Sequence, residues 1–116
     1  MITIQVDEGY AFDHLSIIGV KLDCSSNSAN KKNYDEASKN ITQQIGVDLF
    51  RQIVESKYYT DLFNCNKKIF KLVDEAKQNL VKASEVDDAN YERYVLKKAL
   101  QEKFFEGQIK EVKIGY

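Results

Sequence analysis

One apolar stretch near the N-terminus decides the fold of this chain, and it reads Gly9-Tyr10-Ala11-Phe12-Asp13-His14-Leu15-Ser16-Ile17-Ile18-Gly19-Val20-Lys21. The stretch is too apolar for an ordinary surface helix, yet it carries polar groups at positions that packing is expected to bury in part. A buried polar group raises the free energy of the folded state unless it is paired or hydrogen-bonded. We therefore expect this segment to form a core helix, and any functional site to include it.

The segments around this stretch follow familiar patterns. Apolar and polar residues alternate over residues 2–6, which predicts a half-buried strand. Asp7 stands where the N-cap of a helix over residues 9–23 belongs. The polar run over residues 24–33 predicts a loop, and apolar residues three and four apart then predict a second helix that ends near Ile45.

A single apolar phase then persists for a long distance. Residues 46–48 predict a turn with Asp48 as the next N-cap, and the apolar residues that follow are Phe50, Val54, Tyr58, Leu62, Cys65, Ile69, Leu72, Ala76 and Leu80. Every step is three or four residues, which predicts a third helix over residues 49–83, with a kink near residues 58–60 as the alternative. A helix of this length, in a chain without proline, is typical of a bundle or a helical hairpin.

The C-terminal part predicts a fourth helix over residues 89–105, ended by Gly107, followed by a strand over residues 109–116. The residues expected to face inward are Tyr91, Tyr94, Val95, Ala99 and Leu100. We predict a mainly α-helical single domain over residues 1–116, a bundle or hairpin of three to four helices. The two terminal strands are expected to form a small sheet, within one chain or across a dimer.

The charge pattern excludes several partners. The net charge is −1, and lysine doublets alternate with acidic residues, so no basic stripe offers a nucleic-acid surface. No run approaches the length of a membrane span, and no basic and then apolar leader opens the chain. We expect a cytoplasmic protein that binds neither nucleic acid nor membrane.

Cysteines and acidic residues give no sign of a metal site. Cys24 and Cys65 lie far apart without a second pair, so we expect no zinc site. We predict buried free thiols, with a structural disulfide as the alternative. The acids come mainly as adjacent pairs at 35–36, 74–75 and 87–88, whereas helical magnesium sites use carboxylates spaced three and four apart on facing helices. We expect a solvated acidic face, no metal and no cofactor.

Polar residues of the first helix form the candidate site. Asp13 and Ser16 share one side of this helix, while His14 and Lys21 share another. The full set of candidate ligand-binding residues is Asp13, His14, Ser16, Lys21, Asn66, Asn90 and Arg93. These groups fit a small anionic or sugar-like ligand, whereas the alternative is that they satisfy one another inside the fold. No catalytic residue can be assigned.

Two functions follow from these patterns. The first is a non-enzymatic, self-associating interaction module, expected as a homodimer, because the predicted third helix is longer than a chain of this size readily covers. Tyrosines at helical spacing usually lie at the core edge, and a subset of them marking an interface is the alternative. The second function is a small-molecule-binding protein or enzyme with its site beneath the first helix.

The N-terminal stretch also resembles a signature found in an uncharacterised family of short bacterial helical proteins, G-E-L-x-D-K-x-T-I-L-x-I-K after an apolar strand. Four residues are identical: Gly9, Asp13, Ile17 and Lys21. Four more are similar in type: Leu15, Ser16, Ile18 and Val20. Tyr10 and His14 depart from the signature, which has an acid and a lysine there.

The resemblance continues with less specific motifs in the same order along the chain. The family has an Asn followed four residues later by a Trp, and this chain has Asn66 and Phe70 at those places. The family's later motifs are an Asn-Asp-x-Arg stretch, a Lys-Arg pair and a closing E-E-K-x-Y. Similar residues here are Asn90 with Arg93, the pair Lys97-Lys98, and Glu111-Val112-Lys113 before Tyr116. The resemblance implies a helical fold and a bacterial or phage source, and it brings no activity with it.

Overall fold

Helices make up most of the computed structural model, which describes residues 1–79 and 82–114, and side chains for residues 1–79 and 82–105. The helices within those ranges are α1 (Glu8–Cys24), α2 (Ser28–Ile45), α3 (Val47–Val54), α4 (Lys57–Lys77) and α5 (Ala83–Ile114). The mainly α-helical fold class is therefore confirmed.

Side-chain caps set the start of the first two helices. Asp7 Oδ1 accepts a hydrogen bond from the Tyr10 N–H at 2.7 Å, which confirms the predicted N-cap of α1. Asn27 Oδ1 accepts from the Asn30 N–H at 2.8 Å, so α2 begins earlier than expected. Since this cap supplies an acceptor for an otherwise unpaired helix N–H, the predicted loop over residues 24–33 is reduced to residues 25–27.

The predicted long third helix is wrong as one continuous helix. It is divided into α3 and α4 at residues 55–56, where Ser56 Oγ accepts from the Tyr59 N–H at 3.3 Å and caps α4. The apolar phase carries on across this break, which is why periodicity alone did not reveal it. Gly46, with φ of +94°, caps both α2 and α3, so Asp48 lies in the first turn of α3 instead of at its N-cap.

Neither predicted terminal strand is present in residues 1–79 and 82–114. Residues 1–7 form neither helix nor strand, and α5 continues through Gly107 to Ile114 with one non-helical residue, Phe105 (φ −136°, ψ 29°). A helix pairs its own backbone groups, whereas a strand needs a partner edge, and the described residues supply none. Residues 115–116 of the predicted C-terminal strand lie outside the described residues.

The core forms where α1 packs against α2, α4 and α5, while α3 joins α2 to α4. The pairing of α4 with α5 is antiparallel, as in the predicted hairpin. Near the start of α4 the ring centroid of Tyr58 lies 5.9 Å from that of Phe104, and further along α4 Lys68 Nζ lies 3.7 Å from Oε2 of Glu92, earlier in α5. The buried residues of the main core are Phe12, Leu15, Ile53, Tyr59, Leu62, Leu100 and Phe105.

The orientation of α5 differs from the prediction. Leu100 is buried as predicted, together with Ala89, and Leu96 packs on the core. Three other side chains expected to face inward, those of Tyr91, Tyr94 and Val95, are exposed. Their exposed fractions are 60% for Tyr91, 55% for Tyr94 and 47% for Val95. This helix carries apolar residues on two faces, and it packs against α1 and α4 with the face that includes Ala89, Leu96 and Leu100.

Candidate functional site

A buried polar cluster joins α1 to α4 at the centre of the molecule. Asn66 Nδ2 donates one hydrogen bond to Asp13 Oδ1 at 2.9 Å and another to Ser16 Oγ at 2.6 Å. Ser16 Oγ in turn donates to the backbone carbonyl of Asp13 at 2.7 Å. Each of the three residues as a whole is 5% exposed or less. Asp13 and Ser16 meet Asn66 because they lie three residues apart, on one side of α1.

Arg93 brings α5 into the same cluster. Its Nε lies 3.7 Å from Asp13 Oδ2, and its side chain is one-third exposed while that of Asp13 is 7% exposed. A buried carboxylate needs hydrogen bonds and a nearby positive charge to offset its lost hydration. Asn66 supplies the hydrogen bond and Arg93 supplies the charge. We name Asp13, Ser16, Asn66 and Arg93 the α1–α4–α5 polar cluster.

The chemistry left open by this cluster is limited. Both Nδ2 protons of Asn66 are committed to α1, and this amide orientation is required because the Asp13 carboxylate can only accept. Each carboxylate oxygen of Asp13 already faces a partner. The Arg93 guanidinium forms no hydrogen bond within residues 1–79 and 82–105, and it is the group of the cluster that remains available to a ligand.

A groove opens beside this cluster along α4. Its volume is about 510 Å³, and its lining residues are Ile17, Asn66, Ile69, Phe70, Lys71, Val73, Asp74, Lys77 and Arg93. Phe70 is half exposed, and Val73 is 37% exposed. The lining of this α4 groove therefore combines four apolar side chains with three basic groups, one carboxylate and one amide.

His14 and Lys21 are not brought to the polar cluster. Both are exposed on another side of α1, and they line a separate groove of about 760 Å³ between α1, α2 and the N-terminal segment. Asparagines 30, 33 and 40 of α2 line the same groove. The sequence-predicted set is thus divided between two surroundings, as helix geometry requires for side chains on different sides of α1.

Asn90 lies neither in the polar cluster nor in the groove that His14 and Lys21 line. Its side chain is exposed, and its Nδ2 donates to the Val86 carbonyl at 3.0 Å, one turn earlier in α5. This local bond occupies the amide within its own helix. Of the seven candidate residues, the structure therefore brings together Asp13, Ser16, Asn66 and Arg93.

Sequence reasoning missed Gln101, which is 5% exposed and connects α5 to the start of α1. Its Oε1 accepts a hydrogen bond from the Gly9 N–H, and its Nε2 donates to Glu8 Oε1 at 2.7 Å. The two helices come so close that a Cβ on Gly9 would lie 3.0 Å from the Lys97 carbonyl oxygen. The signal available in the sequence was Gly9 itself, because a glycine in the first turn of a helix can indicate a close contact with another backbone. It does not indicate which residue makes that contact.

Two core groups have raised pKa values and no sign of reactivity. Burial, with a smaller contribution from Glu92, raises the pKa of the Cys65 thiol, which donates to the Ala89 carbonyl at 3.5 Å. Burial also raises the pKa of Tyr59, and the nearby Tyr34 phenol adds to the effect. The Tyr59 hydroxyl has no partner with hydrogen-bond geometry among the described side chains. A raised pKa keeps a thiol protonated and inert.

Cys24 is a free thiol as expected, but it is exposed rather than buried, because it is the last residue of α1. The part of the chain that the structure describes contains no group of three or more His, Cys, Asp or Glu side chains arranged to hold a metal ion. None of its helices is long and apolar enough to cross a membrane.

Comparisons with known proteins bring no relative: no family model and no curated protein matches the sequence, and no solved structure matches the fold. The resemblance to the short bacterial helical family stays a prediction. Evidence about function therefore comes from the site geometry and the exposed surface.

Proposed function

We propose that this chain is a non-enzymatic interaction module that associates with itself. The observation that supports the proposal is an apolar face of α5 that no described part of the chain covers. We name Tyr91, Tyr94 and Val95 the outer α5 face. Single exposed apolar residues are ordinary on protein surfaces, whereas neighbouring aromatic residues are enriched at interfaces.

The arrangement of this face favours a protein partner. Tyr91 and Tyr94 stack with ring centroids 6.3 Å apart, and Val95 follows Tyr91 by one helical turn. Stacked tyrosine rings supply a large contact area with few rotatable bonds, so ordering them on association costs little conformational entropy. The face is exposed and lines neither of the two grooves described above, which suits a protein surface better than a small molecule.

The polar cluster supports the non-enzymatic part of the proposal. Asp13 and Ser16 of α1 bind Asn66 of α4, so these residues stabilise the packing of the two helices. Because they are buried, neither the Asp13 carboxylate nor the Ser16 hydroxyl faces solvent as a general base or nucleophile. The earlier expectation that a very long helix needs a partner no longer contributes, because α3 and α4 are separate helices. Self-association is instead expected through α5.

Sedimentation velocity tests this proposal directly. We expect a concentration-dependent shift from monomer to dimer in the micromolar range, as for a small interface. A single monomeric species throughout that range would refute self-association. The measurement needs no variant and no ligand, so it comes first.

The α4 groove favours a second candidate function, the binding of a small anionic molecule. Its volume of about 510 Å³ lies within the range of ligand sites, and its lining carries three positive charges, on Lys71, Lys77 and Arg93, against one carboxylate. Inorganic phosphate and a sugar phosphate are suitable probes for a thermal-shift titration. We expect a saturable rise in melting temperature that Lys77→Ala abolishes and Lys39→Ala, on exposed α2, leaves unchanged. Equal responses of both variants, or no saturation, would reject this function.

A further inference from the structure

Residues 87–98 of α5 read D-D-A-N-Y-E-R-Y-V-L-K-K, and the charged residues and tyrosines of this segment form a mirror-symmetric pattern in which every charge is reversed. About a midpoint between residues 92 and 93, Tyr91 mirrors Tyr94. Every acidic position mirrors a basic one: Asp87 with Lys98, Asp88 with Lys97, and Glu92 with Arg93. The two remaining mirrored pairs are Ala89 with Leu96 and Asn90 with Val95. A two-fold axis perpendicular to a helix places each residue opposite its mirror position on the second copy. The segment is therefore complementary to an antiparallel copy of itself.

The outermost mirrored pair, Asp87 and Lys98, extends the line of the two tyrosines of the outer α5 face at both ends. Asp87, Tyr91, Tyr94 and Lys98 follow one another at steps of four, three and four residues. This is the spacing of a helical contact stripe, in which each residue lies about one turn from the next. All four side chains are exposed, and they lie opposite the buried side of α5 that contains Ala89 and Leu100.

We propose that a second copy of this chain binds the outer α5 face in antiparallel orientation, about a two-fold axis between residues 92 and 93. This inference rests on the proposed self-association and names its surface and its geometry. Tyr91 of each copy packs against Tyr94 of the other, and this contact occurs twice. Asp87 of each copy faces Lys98 of the other at both ends of the stripe.

The charges that remain available agree with this arrangement. The inner charges are engaged within the chain: Glu92 with Lys68 at 3.7 Å, Arg93 with Asp13 at 3.7 Å, and Lys97 with the Tyr10 ring at 5.5 Å. Asp87 and Lys98 are absent from the ion pairs formed among the described residues. They are the pair in the mirrored set that can bind a second copy without first giving up a contact.

Charge reversal on this pair separates the proposed geometry from other ways of self-association. In a dimer of the Asp87→Lys variant, the new lysine of each copy faces Lys98 of the other, at both ends of the stripe. In a dimer of the Lys98→Asp variant, the new aspartate of each copy faces Asp87 of the other. Each attraction becomes a repulsion at two symmetric places, so we expect the dimer dissociation constant to rise by about tenfold or more for either variant. The double variant D87K/K98D restores opposite charges and is expected to recover dimerisation.

Mixing the two single variants gives a sharper test. An Asp87→Lys chain presents two lysines and a Lys98→Asp chain presents two aspartates, so the heterodimer gains two attractive contacts that both homodimers lack. We expect the equimolar mixture to dimerise more tightly than either variant alone. Lys39→Asp, on the exposed side of α2, makes the same charge change as Lys98→Asp but away from α5, and it is the matched control. Circular dichroism of each variant confirms that it folds.

The outcomes distinguish this inference from the function on which it rests. If the wild-type protein dimerises but the two reversals behave like Lys39→Asp, the copies meet elsewhere and the α5 geometry is overturned. If the single variants lose dimerisation but neither the double variant nor the mixture restores it, the antiparallel pairing is refuted while self-association stands. A wild-type protein that remains monomeric overturns both.

Discussion

Replacement of Asn66 measures the contribution of the polar cluster to stability. In Asn66→Ala, Asp13 Oδ1 and Ser16 Oγ lose donors that lie at 2.9 Å and 2.6 Å. A hydrogen bond to a charged group contributes about 1.5–3 kcal/mol and a neutral one about 0.5–1.5 kcal/mol. Because Asp13 is only 5% exposed, water does not readily replace the lost donor.

We therefore expect Asn66→Ala to lower the free energy of unfolding by about 3 kcal/mol, with Arg93 still neutralising part of the carboxylate charge. Asn66→Asp, which keeps the size of the side chain, is expected to cost more at neutral pH because it sets a second carboxylate beside Asp13. A small domain has only about 5–15 kcal/mol of stability, so either loss is easily measured.

Urea unfolding followed by far-ultraviolet circular dichroism provides the measurement. Asn64 is the matched control, because it lies on α4 two residues before Asn66 and its side chain is exposed. Asn64→Ala is expected to change stability by less than about 0.5 kcal/mol. If Asn66→Ala and Asn64→Ala unfold at the same urea concentration, the polar cluster contributes no stability and our interpretation of it is refuted.

Three further predictions concern other core positions. Gly9→Ala is expected to destabilise the fold by about 1–3 kcal/mol, because the new Cβ would meet the Lys97 carbonyl oxygen. This cost is expected to exceed the gain from the better helix propensity of alanine. An unchanged urea midpoint would contradict the close contact of α1 with α5. Tyr59→Phe should leave stability at neutral pH unchanged or slightly higher. Since its raised pKa keeps Tyr59 protonated in the fold while the unfolded chain ionises above about pH 10, the wild type should lose stability there and the variant should lose less; identical alkaline unfolding curves would disprove this. A thiol reagent should label Cys24 in the native protein and Cys65 only in denaturant, and native labelling that survives Cys24→Ser would contradict the burial of Cys65.

The amino-acid sequence predicted those features that depend on neighbours along the chain. The apolar stretch over residues 9–21 and the cap at Asp7 gave α1 almost residue by residue, since a helix satisfies its backbone locally. The same reasoning failed at Ser56, where the cap divides α3 from α4 without shifting the apolar phase. It failed again at both ends of the chain, where alternating residues predicted strands that lack a partner edge within the described residues.

In the candidate site, too, the sequence predicted what depends on neighbouring residues and missed what depends on distant ones. The sequence marked Asp13 and Ser16 as polar residues on an apolar helix, but it could not show that Asn66 and Arg93 complete the cluster, or that His14 and Lys21 face a different groove. It also could not choose between the two apolar faces of α5. Burial depends on which surfaces of distant helices meet, and that is decided by packing of the whole chain rather than by the period of any one segment.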